Sequence, residues 1–197
     1  MPLEIEVKIR VENLAVVRQT LQRTNATPAG KVLETNIFFD RPDRSLRAKD
    51  CGLRVRLTSS QGQPATVALL TYKGPKQATG MRSREAYDLH VSPVEQLIPL
   101  IEALGFQRTL SFEKHRESWT IDGCQVELDE LPSLGTFVEV EGPSEERVKE
   151  VQEKIGLAGQ PAVKPSYIAM VDEWLQQNGG GKDLQFPHNS SPPLSDQ

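Results

Sequence analysis

The sequence is poor in cysteine, histidine and aromatic side chains, and it holds no long apolar run. Its two cysteines, Cys51 and Cys124, stand far apart and form no CxxC pair. That excludes the usual zinc-ribbon and dithiol motifs, and each reads as a reduced structural thiol. The three histidines, His90, His115 and His188, fit no zinc-binding helix motif. No Ser-His-Asp order can be argued from them; His115 reads as a packing or surface residue. A Walker-type phosphate loop is also missing, since Gly74-Pro75-Lys76 is too short and follows the wrong pattern. No stretch approaches the roughly 20 apolar residues of a membrane span. The N-terminus opens on charged residues rather than on a basic-then-apolar leader, so a cytoplasmic chain without a membrane partner is expected. Positive charge is not in excess either. With 23 Lys and Arg against 27 Asp and Glu, the net charge of −4 argues against general nucleic-acid binding.

What is present is alternation. Leu3, Ile5, Val7, Ile9 and Val11 interleave with Glu4, Glu6, Lys8 and Arg10, the mark of a β-strand with one apolar and one ionic face. Two carboxylates at two strand rises, about 7 Å apart, suit joint chelation of a hard divalent cation. The following lysine stands ready for an anion. Alone, the stretch reads equally as a charged surface strand.

Further strands are expected over 31–40, 53–57, 65–73, 83–91, 108–122, 125–131 and 136–142, with Asp122-Gly123 as a hairpin turn and 41–45 as a loop. Helices are expected over 13–24, 93–104 and 144–155, and from Pro165 or Ser166 to Gln177. The Gly, Pro and Ser content that follows makes 178–197 a disordered tail beside one domain at 1–177. About eight strands joined by short turns can close into a barrel able to hold side chains or one ligand. The expected class is therefore α+β: an eight-stranded antiparallel barrel, or tunnel, with helices packed outside.

The ionic rows recur. Arg54 and Arg56, Thr71 and Lys73, Lys114 and Arg116, Glu127 and Asp129, and Glu139 and Glu141 each lie two apart on one strand face. Such rows either solvate the outside of a barrel or sandwich, or point inward while the apolar rows pack against helices. The inward arrangement explains why amphipathic helices accompany the sheet. Arg and Lys can meet the dense charge of a polyphosphate. Carboxylate pairs would repel that ligand unless they held Mg²⁺ or Mn²⁺.

In this order, Glu4-x-Glu6-x-Lys8, Phe38-Phe39-Asp40, Leu53-Arg54-Val55-Arg56, Thr71-Tyr72-Lys73, Lys114-x-Arg116, Glu139-Val140-Glu141 and Lys164-Pro165-Ser166-Tyr167 closely resemble the CYTH superfamily, the triphosphate tunnel metalloenzymes. The likeness is greatest to the class IV adenylate cyclase (CyaB-like) branch, through Thr71-Tyr72-Lys73-Gly74-Pro75 and Ser83-Arg84-Glu85. The resemblance implies a metal-dependent enzyme with a triphosphate-bearing small molecule as its partner. It implies Glu4, Glu6, Glu139 and Glu141 as ligands of Mg²⁺ or Mn²⁺, with Asp129 near the metals. Lys8, Arg54, Arg56, Lys73, Arg84, Lys114 and Arg116 would bind the triphosphate, and Lys8, Arg54, Arg56 and Lys73 would act in catalysis. The chain departs from the family pattern at Ala86, where a glutamate is usual; Glu85 would point to the opposite face of a regular strand. The branch likeness favours an adenylate cyclase converting ATP to cyclic AMP and pyrophosphate. A triphosphatase of inorganic triphosphate, thiamine triphosphate or a nucleotide is the alternative, and a non-catalytic polyphosphate-binding module is a third reading. The residues do not fix an oligomeric state; dimers are common in families of this kind, so a homodimer is left open.

Overall fold

The two faces of the first strand meet two different environments in the structure, a computed structural model that describes residues 5–60, 65, 67–75 and 85–187. Strand β1 (Ile5–Val11) buries Ile9 in a core shared with helices α1 (Leu14–Arg23) and α4 (Glu145–Lys154). Both helices start where a side chain satisfies a free backbone N–H: Asn13 accepts from Ala15 N, and Ser144 from Arg147 N. Their apolar stripes, Val17 with Leu21 and Val148 with Val151, pack on Val126, Val138 and Val140. Helix α3 (Val94–Ala103) covers a second apolar row with Leu97 and Ile101 against Ile37, Phe39 and Val55. The apolar rows of the strands thus face the covering helices.

The remaining strands are β2 (Thr27–Asp40), β3 (Gly52–Ser59), β4 (Ala68–Lys73), β5 (Ala86–Val91), β6 (Gln107–Ile121), β7 (Cys124–Leu131), β8 (Gly135–Gly142) and the two-residue β9 (Asp183–Leu184). Their order is β1-β8-β7-β6-β2-β3-β4-β5, with β9 added to β6. Neighbours are antiparallel except β6 and β9. The hairpin joining β6 and β7 turns through Asp122 and Gly123, both at positive φ. Among the described residues β1 and β5 do not pair, so the expected closed eight-stranded barrel is corrected to an open sheet. One reason lies at the outer edge of β1. Ala162 bridges Ile9, and Val163 N donates to Lys8 O (2.7 Å), so residues 162–163 take up backbone groups that closure would need. The sheet is nevertheless curled. Lys8 on β1 and Lys114 on β6 are three places apart in the strand order, yet their ammonium groups lie 3.9 and 5.1 Å from the centre of one ring, Tyr167.

That ring belongs to helix α5 (Tyr167–Gln177), capped by the Ser166 hydroxyl, which accepts from Ala169 N. Unlike the other helices, α5 packs on the concave face. Its Tyr167, Met170, Val171 and Leu175 meet Leu110, Phe112, Leu131 and Phe137, which alternate along their strands with the convex apolar rows. The concave face is therefore ionic along part of its length and apolar where α5 covers it.

Three local expectations are corrected. Residues 45–48, expected in a loop, form the short helix α2 (Ser45–Ala48), because the Asp40 carboxylate accepts from Leu46 N (2.9 Å) and Arg47 N (3.0 Å). Strand β2 begins at Thr27 instead of Lys31, with a register irregularity between Pro28 and Gly30. Residues 178–187, expected in the tail, are packed on the sheet. Strand β6 has 15 residues and β7 only 8, and their pairing reaches back only to His115, which leaves Ser111 and Phe112 to pair with β9. Leu184 is buried, Phe186 N donates to the Glu113 carboxylate (3.0 Å), and the Phe186 ring stands 4.3 Å from His115. Leu184→Ala is expected to lower the unfolding free energy by about 2–4 kcal/mol, read from a urea titration; an unchanged midpoint would show that this segment adds nothing to the core. His188 and the rest of 188–197 lie outside the described residues. Among the described residues no helix is long and apolar enough to cross a membrane.

Candidate functional site

Strand alternation puts Lys8, Glu34, Asn36, Arg54, Arg56, Lys114, Arg116, Asp129 and Glu139 on the concave face, and all of them but Arg54 are joined in one run of contacts. Lys8 Nζ lies 3.4 Å from Glu139 Oε1 and donates to the Pro165 carbonyl (3.3 Å). The other oxygen of Glu139 accepts from Arg116 Nη2 (2.7 Å). Arg116 also forks onto Asp129, with Nε to Oδ1 at 2.7 Å and Nη2 to Oδ2 at 2.6 Å. Lys114 joins Asp129 (3.2 Å) to Glu34 (3.4 Å), and Glu34 in turn meets Arg56 Nη1 (3.2 Å). Arg56 Nε donates to Asn36 Oδ1 (3.1 Å). A shorter chain continues toward the sheet edge: Arg54 Nη2 donates to Thr71 Oγ1 (3.2 Å), whose hydroxyl donates to Asp88 Oδ1 (2.6 Å).

Burial sharpens these charges. For Asp129, fully buried, burial works to raise the carboxyl pKa, but Lys114 and Arg116 outweigh it and hold the group at about 2. Burial opposes ionisation of Glu34 too, and Lys114, Arg56 and Arg116 still keep it below the ordinary glutamate value. In Lys114 burial wins over the pull of Asp129 and lowers the ammonium below its usual range. Arg54 is pushed down to about 10 by burial and by Arg56. Burial raises Glu127, since Arg116 and the Ser118 hydroxyl only partly offset it. Tyr167 is raised by burial and by Asp129. Its hydroxyl lies near enough to help hold Asp129 ionised, although its geometry falls short of a hydrogen bond.

These directions predict an acid limb. A carboxylate whose pKa is depressed on folding stabilises the fold fully above its ordinary value and loses that contribution as pH falls through the folded value. For Asp129 the window runs from 3.8 down to about 2, with Glu34 acting in the same direction. Thermal melts between pH 6 and pH 2 should show stability falling below about pH 4, by on the order of 2 kcal/mol from Asp129. Asp129→Asn should flatten that limb, and an identical acid profile in the variant would contradict the assignment.

The structure brings together six of the expected residues: Lys8, Arg56, Lys114, Arg116, Asp129 and Glu139. Arg54 adjoins them through its strand position opposite Phe38 and Thr71. Lys73 is at the exposed end of β4, opposite Gly52 and Ala86. Glu6 stands directly opposite Glu141, one step along from the Lys8–Glu139 pair. Glu4 and Arg84 lie outside the described residues. Two participants absent from the expected site are Glu34 and Asn36. Both were legible in the alternation of Leu33, Thr35, Ile37 and Phe39 with Glu34, Asn36 and Phe38. Tyr167 was visible only as part of a motif; its place between two lysines depends on how α5 returns to the sheet.

Among the described residues no three His, Cys, Asp or Glu side chains gather closely enough to hold a metal. The register still sets carboxylates side by side: Glu6 faces Glu141, and Glu139 faces Glu127. Like charges directly opposite on a sheet repel, and an all-oxygen set of this kind suits Mg²⁺ or Mn²⁺. Asp129, expected near the metals, is paired with Arg116 and Lys114.

Among the described residues, buried donors without a partner on the same face include Arg54 Nε, Asn36 Nδ2 and the Tyr167 hydroxyl. Cations from β1, β3 and β6 together with such donors can hold a multiply charged anion.

Comparison with known proteins adds three kinds of likeness. A family model described as CYTH domain matches residues 2–164. A protein of Methanocaldococcus jannaschii named "Putative adenylate cyclase MJ0240" is 27% identical over 139 residues, 71% of this chain and 76% of that protein. Among solved structures, one described as a "putative adenylate cyclase" from Vibrio parahaemolyticus superposes with a TM-score of 0.74 at 19% identity, covering 86% of this chain and 98% of the other. HpAC1 from Hippeastrum, described as a "putative adenylyl cyclase" with a dominant triphosphatase activity, gives 0.65 at 19% identity, over 87% and 96%.

Proposed function

We infer, because this chain belongs to the CYTH domain family, that it is a divalent-metal-dependent enzyme acting on a triphosphate held against the concave face of its sheet. The observation that carries this reading is the convergence of Lys8, Arg54, Arg56, Lys114 and Arg116 on one buried surface, where Arg54 Nε and the Asn36 amide are left without partners. So many buried cations are costly unless anions meet them. The resident carboxylates meet some of that charge, and a polyphosphate would meet the rest.

Glu6, Glu139 and Glu141, with Glu4, are the residues that would hold Mg²⁺ or Mn²⁺. Bound there, the ion would neutralise phosphate oxygens and so lower the barrier to displacement at phosphorus. Lys8 and Arg116, already against Glu139, would lie next to that ion and bind adjacent phosphate oxygens. Arg54 and Arg56 would hold the chain from β3, and Lys73 from the end of β4. Their work is to position the chain and to stabilise charge growing on the leaving phosphate. Preorganisation supports this role, since Asp88 and Thr71 hold Arg54 from one side and Asn36 holds Arg56.

Of the two reactions such a site could serve, likeness to the Methanocaldococcus protein favours cyclisation of ATP, while the activity of the Hippeastrum neighbour favours hydrolysis. The experiment is incubation with Mg²⁺ or Mn²⁺ and either ATP or inorganic triphosphate, followed by phosphorus NMR. Cyclic AMP with pyrophosphate is the expected product of the cyclase. Orthophosphate in its place would assign a triphosphatase. Tight binding without turnover would make the chain a polyphosphate-binding module and overturn the enzymatic reading.

A further inference from the structure

Residues 162–167 run from the outer edge of β1 onto the concave face and there meet two of its cations. Ala162 bridges Ile9, and Val163 N donates to Lys8 O, which fixes the backbone of this segment to β1. The Pro165 carbonyl then accepts from Lys8 Nζ, and Ser166 caps α5. Tyr167, the first residue of that helix, therefore enters the face at a set point. It is 8% exposed, and its ring lies edge-on to Phe137, with centres 5.4 Å apart and planes at 73°. Lys8 Nζ stands 3.9 Å from the centre of the Tyr167 ring and Lys114 Nζ 5.1 Å.

Carboxylates hold each lysine on its own part of the sheet. Lys8 meets Glu139 on β8, while Lys114 meets Asp129 on β7 and Glu34 on β2. The two ammonium groups repel each other, and burial strengthens that repulsion. The face of an aromatic ring carries negative potential and attracts a cation within about 6 Å of its centre. Tyr167 meets that condition for both lysines at once, from a position fixed by Phe137 and by the start of α5. Lysine stems are flexible, and ordering them when a ligand arrives costs affinity. Held against one ring, both stems are ordered beforehand. The Tyr167 hydroxyl makes no hydrogen bond in the structure, so the contact to the lysines is made by the ring.

We propose that Tyr167 is a positioning residue for phosphate binding: its ring holds the ammonium groups of Lys8 and Lys114 at a fixed spacing. Cations from the edge strand β1 and from β6 can then act on one phosphate chain. This rests on the reading of the concave face as a triphosphate site.

The test is calorimetric titration of the purified full chain with sodium tripolyphosphate, without added metal, so that binding is read apart from turnover. Thermal unfolding of each variant checks the fold. Tyr167→Leu removes the ring and should weaken binding about 10- to 100-fold, the worth of two buried cation–π contacts. Tyr167→Phe keeps the ring and should stay within about threefold of wild type. Fluorinating that phenylalanine ring, by codon suppression, keeps its shape nearly unchanged and drains its face of negative charge. Binding should then fall about 10-fold below that of Tyr167→Phe, a loss that a packing role would not produce. If Tyr167→Leu does not fold, the fluorinated ring decides. A fluorinated protein that binds as well as Tyr167→Phe overturns the proposal and leaves the triphosphate site standing, as does a folded Tyr167→Leu of wild-type affinity. Tyr167→Phe as weak as Tyr167→Leu would place the effect on the hydroxyl and overturns it too. Failure of wild type to bind tripolyphosphate overturns both the proposal and the site.

Discussion

Arg116→Gln is expected to lose about 3–5 kcal/mol of stability and to abolish turnover. The guanidinium is the hub of the concave face, bonded to both oxygens of Asp129 and to Glu139, with a further contact to Glu127 at 3.9 Å. Burial works against its charge, but the hydrogen bonds to Asp129 more than offset that and raise its pKa above the ordinary arginine value. A neutral amide in its place leaves the fully buried Asp129 with Lys114 as its remaining cation. Breaking a buried pair from one side costs more than the pair is worth, because the other charge stays behind. Asp129→Asn in the same chain should therefore recover part of the loss, and the double variant should be more stable than the sum of the single changes predicts. Urea titrations of the four proteins measure this. Strict additivity would show that the two residues do not act as a unit.

Much of this arrangement could be read from the chain, and the parts that could not share a physical cause. Period-two alternation is local, so the ionic rows at Lys8, Arg54, Arg56, Lys114, Arg116 and Glu139 were legible strand by strand. That the rows share one face followed from the need to cover the apolar rows with helices, and Leu21, Ile101 and Val151 do cover them. Closure was not legible. It depends on whether β1 and β5 meet, and residues 162–163, far along the chain, take the edge of β1 instead. Helix α5 carries the same amphipathic signal as α4, yet one packs inside the curve of the sheet and the other outside. Periodicity reports that a helix has an apolar stripe and not which surface will meet it. The end of the chain departs from the expected tail for a related reason. Gly179, Gly180 and Gly181 look like a linker, while the two-residue β9 is too short to leave a pattern and forms only because β6 outruns β7. Glu34 falls outside the expected site although its alternation is plain, because a carboxylate among cations matches no anion-binding pattern without Lys114 and Arg56 on either side of it.

Lys8→Ala should lower kcat/KM for the triphosphate substrate by about 10²–10³ while leaving the protein folded. Lys8 is buried, and its ammonium is held at one point by three contacts: Glu139, the Pro165 carbonyl and the face of Tyr167. A cation fixed in this way need not be ordered when charge develops on a phosphate, which makes it worth more than a mobile surface lysine. The fold should survive because the partner left behind keeps another cation, Glu139 remaining bonded to Arg116. The cavity left by the lysine stem beside Tyr167 should cost about 1–2 kcal/mol. This separates Lys8 from Arg116, whose removal strikes stability and turnover together. Steady-state kinetics with the metal saturating, beside a thermal melt, distinguishes the two cases. A folded Lys8→Ala protein with wild-type kcat/KM would place the phosphates somewhere other than this face of β1. A large loss with Km unchanged and kcat reduced would put the ammonium on charge that appears only in the transition state. A loss confined to Km would instead make Lys8 a contact to the ground-state phosphate chain.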